Sequence, residues 1–220
     1  MQSKRVLISG ILGNIGTACS ARAYELDWQV AGISKRINLD LCDWSATAAW
    51  LTHVQSVDLV LMAHGKHHID RVAELTERQW HDIMDNNATA SASLTSAILK
   101  QDKLNPGGLI IYCTSIQGSH TRAGRGAYAA AKCAEEGLMR AVAAEIGPAK
   151  RALALRMGQL ETQMSSIRLD DAEVIRLQKR CYVSWVPVAE VAKLCFDLYE
   201  IKHMTGTCIE VDSGHSKNVW

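Results

Sequence analysis

Proline is nearly absent, three in 220 residues, and phenylalanine occurs once. So little proline leaves no punctuation at which to divide the chain, and no Pro/Gly/Ser-rich linker, internal repeat or low-complexity tract interrupts it. Neither sign of charge is in excess: 24 Lys and Arg face 23 Asp and Glu, for a net +1. That balance lacks the basic footprint of a nucleic-acid binder or of a protein held on an anionic membrane. No apolar run approaches the ~18 residues that a membrane-spanning helix needs. Met1-Gln2-Ser3-Lys4-Arg5 leads directly into Val6-Leu7-Ile8, too short for the hydrophobic region of a signal peptide. The seven cysteines stand singly, at 19, 42, 113, 133, 181, 195 and 208, without a CxxC pair. They read as reduced thiols, mostly buried as small hydrophobes. These absences point to a cytoplasmic globular protein. With 48% hydrophobic residues, residues 1–220 suit one core and a single domain.

What is present is an alternation of short apolar runs and longer amphipathic segments. Val6-Leu7-Ile8, Val30-Ala31-Gly32-Ile33, residues 57–62, 109–114, 152–156 and 206–211 read as strands. Residues 15–26, 44–53, 75–85, 88–100, 128–146, 170–180 and 188–199 read as helices. Near-continuous apolar strands alternating with helices predict an α/β fold with a parallel sheet buried on both faces. Asn38-Leu39-Asp40-Leu41 reads as the end of a further strand. Between Ile33 and that segment there is no room for a crossover helix, which takes ~10–12 residues.

Ser9-Gly10-Ile11-Leu12-Gly13-Asn14-Ile15-Gly16 lies between the first strand and the first helix. Glycines there allow a tight turn and let backbone approach a pyrophosphate, which the amides and dipole of the helix N-terminus then hold. A second signal is Tyr128-Ala129-Ala130-Ala131-Lys132, with Ser115 thirteen residues before the tyrosine. On a helix, residues four apart share a face, so phenol and ammonium stand about 6 Å apart. A tyrosine ordinarily ionises near pH ~10, and a nearby cation favours the phenolate, which suits the phenol to proton transfer.

Together the glycine loop, Asn87, Ser115, Tyr128 and Lys132 resemble the short-chain dehydrogenase/reductase family, and the likeness runs over residues 6–214. Other landmarks follow in order. Asp40-Leu41 resembles the acidic residue that meets the adenine amine, and Ala63-His64-Gly65 stands in the place of Asn-Ala-Gly. Trp80 with Asn87 resembles the helix bearing a catalytic asparagine. Arg156-Met157-Gly158 with Thr162 resembles the segment that clasps the nicotinamide. Thr205-Gly206 and Val211-Asp212-Ser213-Gly214 resemble the closing strand. There are departures: the 10-13-16 glycine spacing is that of the family's sugar-nucleotide branch, Met62 and Ala63 replace Asn-Asn, His64 replaces alanine, and Met157 replaces proline. The short route after Ile33 resembles small members lacking one helix.

The resemblance implies a single Rossmann-type, doubly wound parallel sheet with helices on both faces, and hydride transfer between a nicotinamide and a carbonyl or alcohol carbon. Tyr128 would donate the proton, Ser115 would hold the substrate oxygen, Lys132 would bind the nicotinamide ribose, and Asn87 (or adjacent Asn86) would hold a relay water. Cofactor contacts are expected from Ser9, Gly10, Gly13, Asn14, Ile15, Gly16, Ser34, Lys35, Arg36, Asp40, Leu41, Ala63, His64, Gly65, Tyr128, Lys132 and Thr162. Ser34-Lys35-Arg36 ends the second strand with no acidic residue to bind a ribose diol, and its two cations suit a 2′-phosphate, so NADP is expected over NAD. His64, His67 and His68 read as cofactor-adjacent or surface groups rather than a metal site. Met164, Tyr182 and Trp185, within a lid from Glu161 to about Val186, are candidates for a substrate wall. The expected substrate is a small or medium carbonyl or alcohol compound. Alternatives are a cofactor-sensing protein without turnover and a sugar-nucleotide reductase or epimerase. The family resemblance also implies a homodimer or homotetramer through residues 88–100 and 128–146.

Overall fold

The computed structural model describes residues 3–161, 175, 179 and 181–217. The elements, in chain order, are β1 (Arg5–Ser9), α1 (Asn14–Glu25), β2 (Gln29–Ile33), α2 (Trp44–Thr52), β3 (Val57–Met62), α3 (Glu77–Met84) and α4 (Ala90–Lys100). Then come β4 (Leu104–Ser115), α5 (Gly126–Ile146), β5 (Arg151–Met157), β6 (Leu160–Glu161), β7 (Val186–Pro187), α6 (Val188–Glu200) and β8 (Cys208–Val211). Six strands form one sheet in the order β2-β1-β3-β4-β5-β8, with every neighbouring pair parallel.

Alternation along each strand builds two cores from one run of apolar residues. Val6, Ile8, Leu59, Leu61, Leu109 and Ile111 face α1 and α6, where they meet Cys19, Ala23, Val191 and Phe196. Leu7, Val60, Met62, Ile110 and Tyr112 face α2, α4 and α5, against Leu51, Leu94, Ile98 and Met139. Burial on both faces is why these strands show no polar alternation, as a doubly wound sheet requires. Loops therefore gather beyond the strands' C-terminal ends, where open α/β sheets place their ligands.

The strand expected to end at Asn38-Leu39-Asp40-Leu41 does not form. The Ser34 carbonyl accepts hydrogen bonds from the amides of Ile37, Asn38 and Leu39. Asn38 fastens the turn, its Oδ1 accepting from the Ser34 amide at 2.9 Å and its Nδ2 donating to the Gly32 carbonyl at 2.8 Å. Leu39 and Leu41 look apolar because they fill the second core, not because they pair in the sheet. The chain thus passes from β2 to α2 through turns, and the side chain of Asp43 starts α2 by accepting from the Ala46 amide. The expected helices 75–85 and 88–100 meet in a single π-helical turn, Asp85–Thr89. Of the expected helix 170–180 only Ile175 and Lys179 are among the described residues; Thr162 and Met164 lie outside them. Among the described residues no helix is long and apolar enough to cross a membrane.

Candidate active site

β1 delivers the chain to Ser9, and the next residue turns sharply. Gly10 has φ +70°, and a Cβ there would stand 2.7 Å from the Ala63 carbonyl oxygen and the His64 backbone. At Gly16 a Cβ would meet the Gly10 carbonyl oxygen at 2.3 Å. Backbone therefore fills the space that side chains would need, and the loop lies tight against both α1 and the end of β3. Gly13 is the N-cap of α1 and contributes no side-chain bond, and no acidic residue occupies the first turn. The amides at the start of α1 are left available to an anion.

Beside this loop lies a cavity of about 370 Å³. Gly10, Gly13 and Asn14 form one wall, Ser34, Lys35, Arg36, Asp40 and Leu41 a second, and Ala63, His64 and Gly65 a third. Its size, the crowding that only glycine tolerates and the uncapped helix start all fit a nucleotide. Ser9, Ile15 and Gly16 stand behind the walls: Ser9 is buried, Ile15 packs on the first core, and Gly16 meets the loop. Lys35 and Asp40 form an ion pair across the mouth, Nζ to Oδ2 2.6 Å. Asp40 also accepts from the Cys42 amide at 3.1 Å. Burial alone would raise the Asp40 carboxyl, but the Lys35 and Cys42 contacts outweigh it and hold it below the usual carboxylate range.

The catalytic candidates converge from three elements. Lys132, buried on α5, places Nζ 5.6 Å from the centre of the Tyr128 ring one turn earlier. The same ammonium donates to the Cys113 carbonyl at 3.1 Å and stands 2.7 Å from Glu135 Oε2. Ser115 is the last residue of β4; its hydroxyl donates to the Met157 carbonyl at 3.4 Å and accepts from the Gln117 amide at 3.2 Å. The ring of His67 lies 5.8 Å from that of Tyr128, tilted by 58°.

Asn87 is fully buried in the π turn, a type of insertion often found at functional sites. Its Nδ2 donates to the Ile83 and Lys66 carbonyls, both at 2.8 Å, and its Oδ1 has no hydrogen-bond partner among the described residues. Two carbonyl acceptors fix which end of the amide is nitrogen. A Cβ built on Gly65 would lie 2.7 Å from Asn87 Oδ1 and 3.5 Å from Lys132 Nζ. The orphan acceptor and the buried ammonium thus face one small gap, kept open by the missing side chain of Gly65. Of the two adjacent asparagines, Asn86 lines the cavity while bonded to Asp82, and Asn87 shares the gap at Gly65 with the lysine.

The histidines fall where expected, His64 beside the cavity and His67 and His68 at the surface. His64 lies between Ser9 and Ser91, and burial pushes it down to about 4, which leaves it neutral near neutral pH. His68 bonds Asp82 at 3.1 Å. Sequence reasoning missed Leu12, Leu39, Cys42 and Ala90 on the cavity, and Ser91 and Glu135 beside the lysine. The last two were marked by spacing: Glu135 is three residues after Lys132 and Ser91 four after Asn87, each on a shared helix face.

A family model described as Enoyl-(Acyl carrier protein) reductase matches residues 14–216. The chain is 27% identical over 222 residues to the 3-oxoacyl-(acyl-carrier-protein) reductase FabG of Pseudomonas aeruginosa, a match covering 91% of this chain and 85% of that one. Among solved structures it superposes on a small-chain dehydrogenase in complex with NADPH with a TM-score of 0.89 and 19% identity, covering 98% of this chain and 100% of the other. It superposes equally on a 4-hydroxyisoleucine dehydrogenase complexed with NADH, at a TM-score of 0.88 and 21% identity, covering 98% and 99%. With the glycine loop, the cavity and the Tyr128–Lys132 pair in place, the chain belongs to the short-chain dehydrogenase/reductase family and is an NAD(P)-dependent oxidoreductase.

Proposed function

We propose that the protein reduces the carbonyl group of a small or medium substrate with NADPH, or oxidises the matching secondary alcohol with NADP. The observation that carries this reading is the buried Lys132 ammonium beneath the Tyr128 ring, sharing a gap with the orphan oxygen of Asn87. When bound, the nicotinamide supplies the hydride. Tyr128 Oη gives its proton to the developing alkoxide as a general acid. Ser115 turns its hydroxyl from Met157 to the substrate oxygen and stabilises the charge that forms there. Lys132 holds the nicotinamide ribose and supplies positive charge next to the phenol. The gap at Gly65 takes one water, bonded to Asn87 Oδ1 and Lys132 Nζ, through which the proton spent by Tyr128 is restored. Residues 1–220 act as one cytoplasmic nucleotide-binding domain, assembled as a homodimer or homotetramer. Small exposed residues of α5, among them Ala134, Ala141 and Ala144, support the association through that helix.

Loss of NADPH absorbance with a panel of oxo compounds tests the activity. FabG's name makes a 3-oxoacyl compound the first member; oxo forms of sugars and short ketones complete the panel. Turnover of at least one is expected, and a panel inert with both NADPH and NADH sinks the reading.

The preference for NADP rests on Arg36, exposed at the cavity mouth, because Lys35 already has Asp40 as partner. A guanidinium–phosphate bond contributes about 1.5 kcal/mol, or roughly tenfold in affinity. Arg36→Ala is therefore expected to weaken NADPH binding about tenfold and leave NADH binding nearly unchanged. Equal losses for the two, measured by fluorescence titration, would remove Arg36 as the source of selectivity.

A further inference from the structure

A row of enclosed polar groups runs from the lysine to the glycine loop. Lys132 Nζ stands 2.7 Å from Glu135 Oε2. Glu135 Oε1 accepts from the Ser91 hydroxyl at 2.7 Å. Ser91 Oγ lies 3.2 Å from His64 Nε2, and His64 Nδ1 lies 2.6 Å from Ser9 Oγ. Ser9, Ser91, Lys132 and Glu135 are each buried, with at most 3% exposure. A serine hydroxyl has one proton, and the Ser91 proton goes to the carboxylate. Ser91 therefore accepts from His64 Nε2–H, Nδ1 is the bare nitrogen, and Ser9 donates to it. Every donor in the row points toward Glu135. Burying a carboxylate and an ammonium costs several kcal/mol per ion before their attraction offsets it. Four polar side chains at core positions are thus a poor choice for stability alone.

We propose that Glu135 is a positioning residue for Lys132: its carboxylate keeps the ammonium charged and in place, while Ser91 and His64 anchor that carboxylate to the wall of the nucleotide cavity. The proposal rests on the reading of Tyr128 and Lys132 given above. Lys132 is faced by Tyr128 and Glu135 from its own helix, by Cys113 from β4 and by His64 from the loop after β3, while Tyr112 of β4 acts on Glu135. α4 and the π turn present only the uncharged Ser91 and Asn87. Burial keeps the Tyr112 phenol and the Cys113 thiol protonated, and His64 is neutral. Among the described residues, Glu135 is then the one anion in contact with the amine. Burial acts to strip the lysine of its proton, yet Glu135, with smaller help from Tyr128 and Cys113, more than offsets this and holds the amine above the usual lysine value. With the carboxylate removed, the largest offset to burial is lost and the proton leaves at lower pH.

The test is Glu135→Gln, which keeps the shape and the Ser91 hydrogen bond but not the charge. With NADPH and the fastest compound of the carbonyl panel, kcat is expected to fall at least about tenfold at pH 9 and less than about threefold at pH 6, with the KM for NADPH nearly constant. Ser91→Ala, which removes one hydroxyl, shifts the profile in the same direction by less. Carbon-13 NMR of the lysine side chains reads the Lys132 amine directly, with Lys132→Met identifying its signal, and this titration moves to lower pH in Glu135→Gln. A purely structural Glu135 gives a lower melting temperature with a pH profile parallel to the wild type and an unmoved Lys132 titration; that result overturns the proposal. If Glu135→Gln does not fold, Ser91→Ala decides by the same two measurements. Loss of turnover in Tyr128→Phe beside an unchanged profile in Glu135→Gln defeats this inference alone, whereas full turnover in Tyr128→Phe defeats the reading beneath it.

Discussion

Tyr128→Phe is expected to lower kcat by at least about a thousandfold, within the ~10²–10⁴ range that a positioned acid or base contributes. The substitution is narrow. Phenylalanine keeps the ring that lies 5.8 Å from His67 and 5.6 Å from the Lys132 ammonium. Only the oxygen is lost, and with it the proton that the proposed mechanism gives to a carbonyl oxygen held by Ser115. Binding and chemistry therefore separate: NADPH affinity stays within about twofold, and the loss falls on kcat, as expected for an interaction made only in the transition state. Steady-state turnover with a fluorescence titration of NADPH checks both halves. A drop of less than about tenfold would mean that another group protonates the substrate.

The second large effect belongs to the loop. In Gly16→Ala the new methyl meets Gly10 carbonyl oxygen at 2.3 Å and Ile11 Cα at 2.7 Å. Both are backbone, so no rotamer relieves the contact. Gly10 cannot retreat either, being held at φ +70° against the Ala63 carbonyl oxygen. The loop must move off α1, and the cavity wall moves with it. We expect NADPH affinity to fall at least about a hundredfold and stability to fall by ~1–3 kcal/mol, the usual cost of overpacking. At about 2–4 °C per kcal/mol for a chain of this size, the melting temperature drops by roughly 2–12 °C. Gly107→Ala serves as the comparison: its φ of +78° strains an alanine, but nothing lies within 4 Å of the new methyl. It should cost stability without touching cofactor affinity. Wild-type affinity in Gly16→Ala defeats the argument.

Where one local interaction decides the structure, the sequence was readable. Leu7 and Ile8 announce a strand buried on both sides because one run of apolar residues serves two cores. The 10-13-16 glycines announce close backbone approach, and the Tyr128–Lys132 spacing places both groups on one face of α5. Where several distant groups share the decision, it was not. Leu39 and Leu41 have the hydrophobicity of a strand, but two hydrogen bonds from the Asn38 side chain fold that segment into a turn. The π turn at Asn87 has no compositional mark, since its widened backbone is fixed by the Asn87 amide reaching Ile83 and Lys66. Lys35 looked like a ready phosphate ligand until the fold brought Asp40 within 2.6 Å. Glu135 goes unmarked in the sequence, and only burial against Ser91 and Lys132 gives it meaning.

The turn held by Asn38 reaches beyond the cofactor. Because no strand forms between Ile33 and α2, β2 is the outermost described strand of the sheet, and its far side carries backbone groups open to pairing with a stray peptide. The Ile33 carbonyl is taken by Ile11, so alternation turns the Gly32 carbonyl outward, and that is the group Asn38 occupies. A border only five residues long, with one of its outward acceptors already engaged, is a poor template for strand addition. The side chain that shapes the nucleotide pocket also guards the sheet against aggregation.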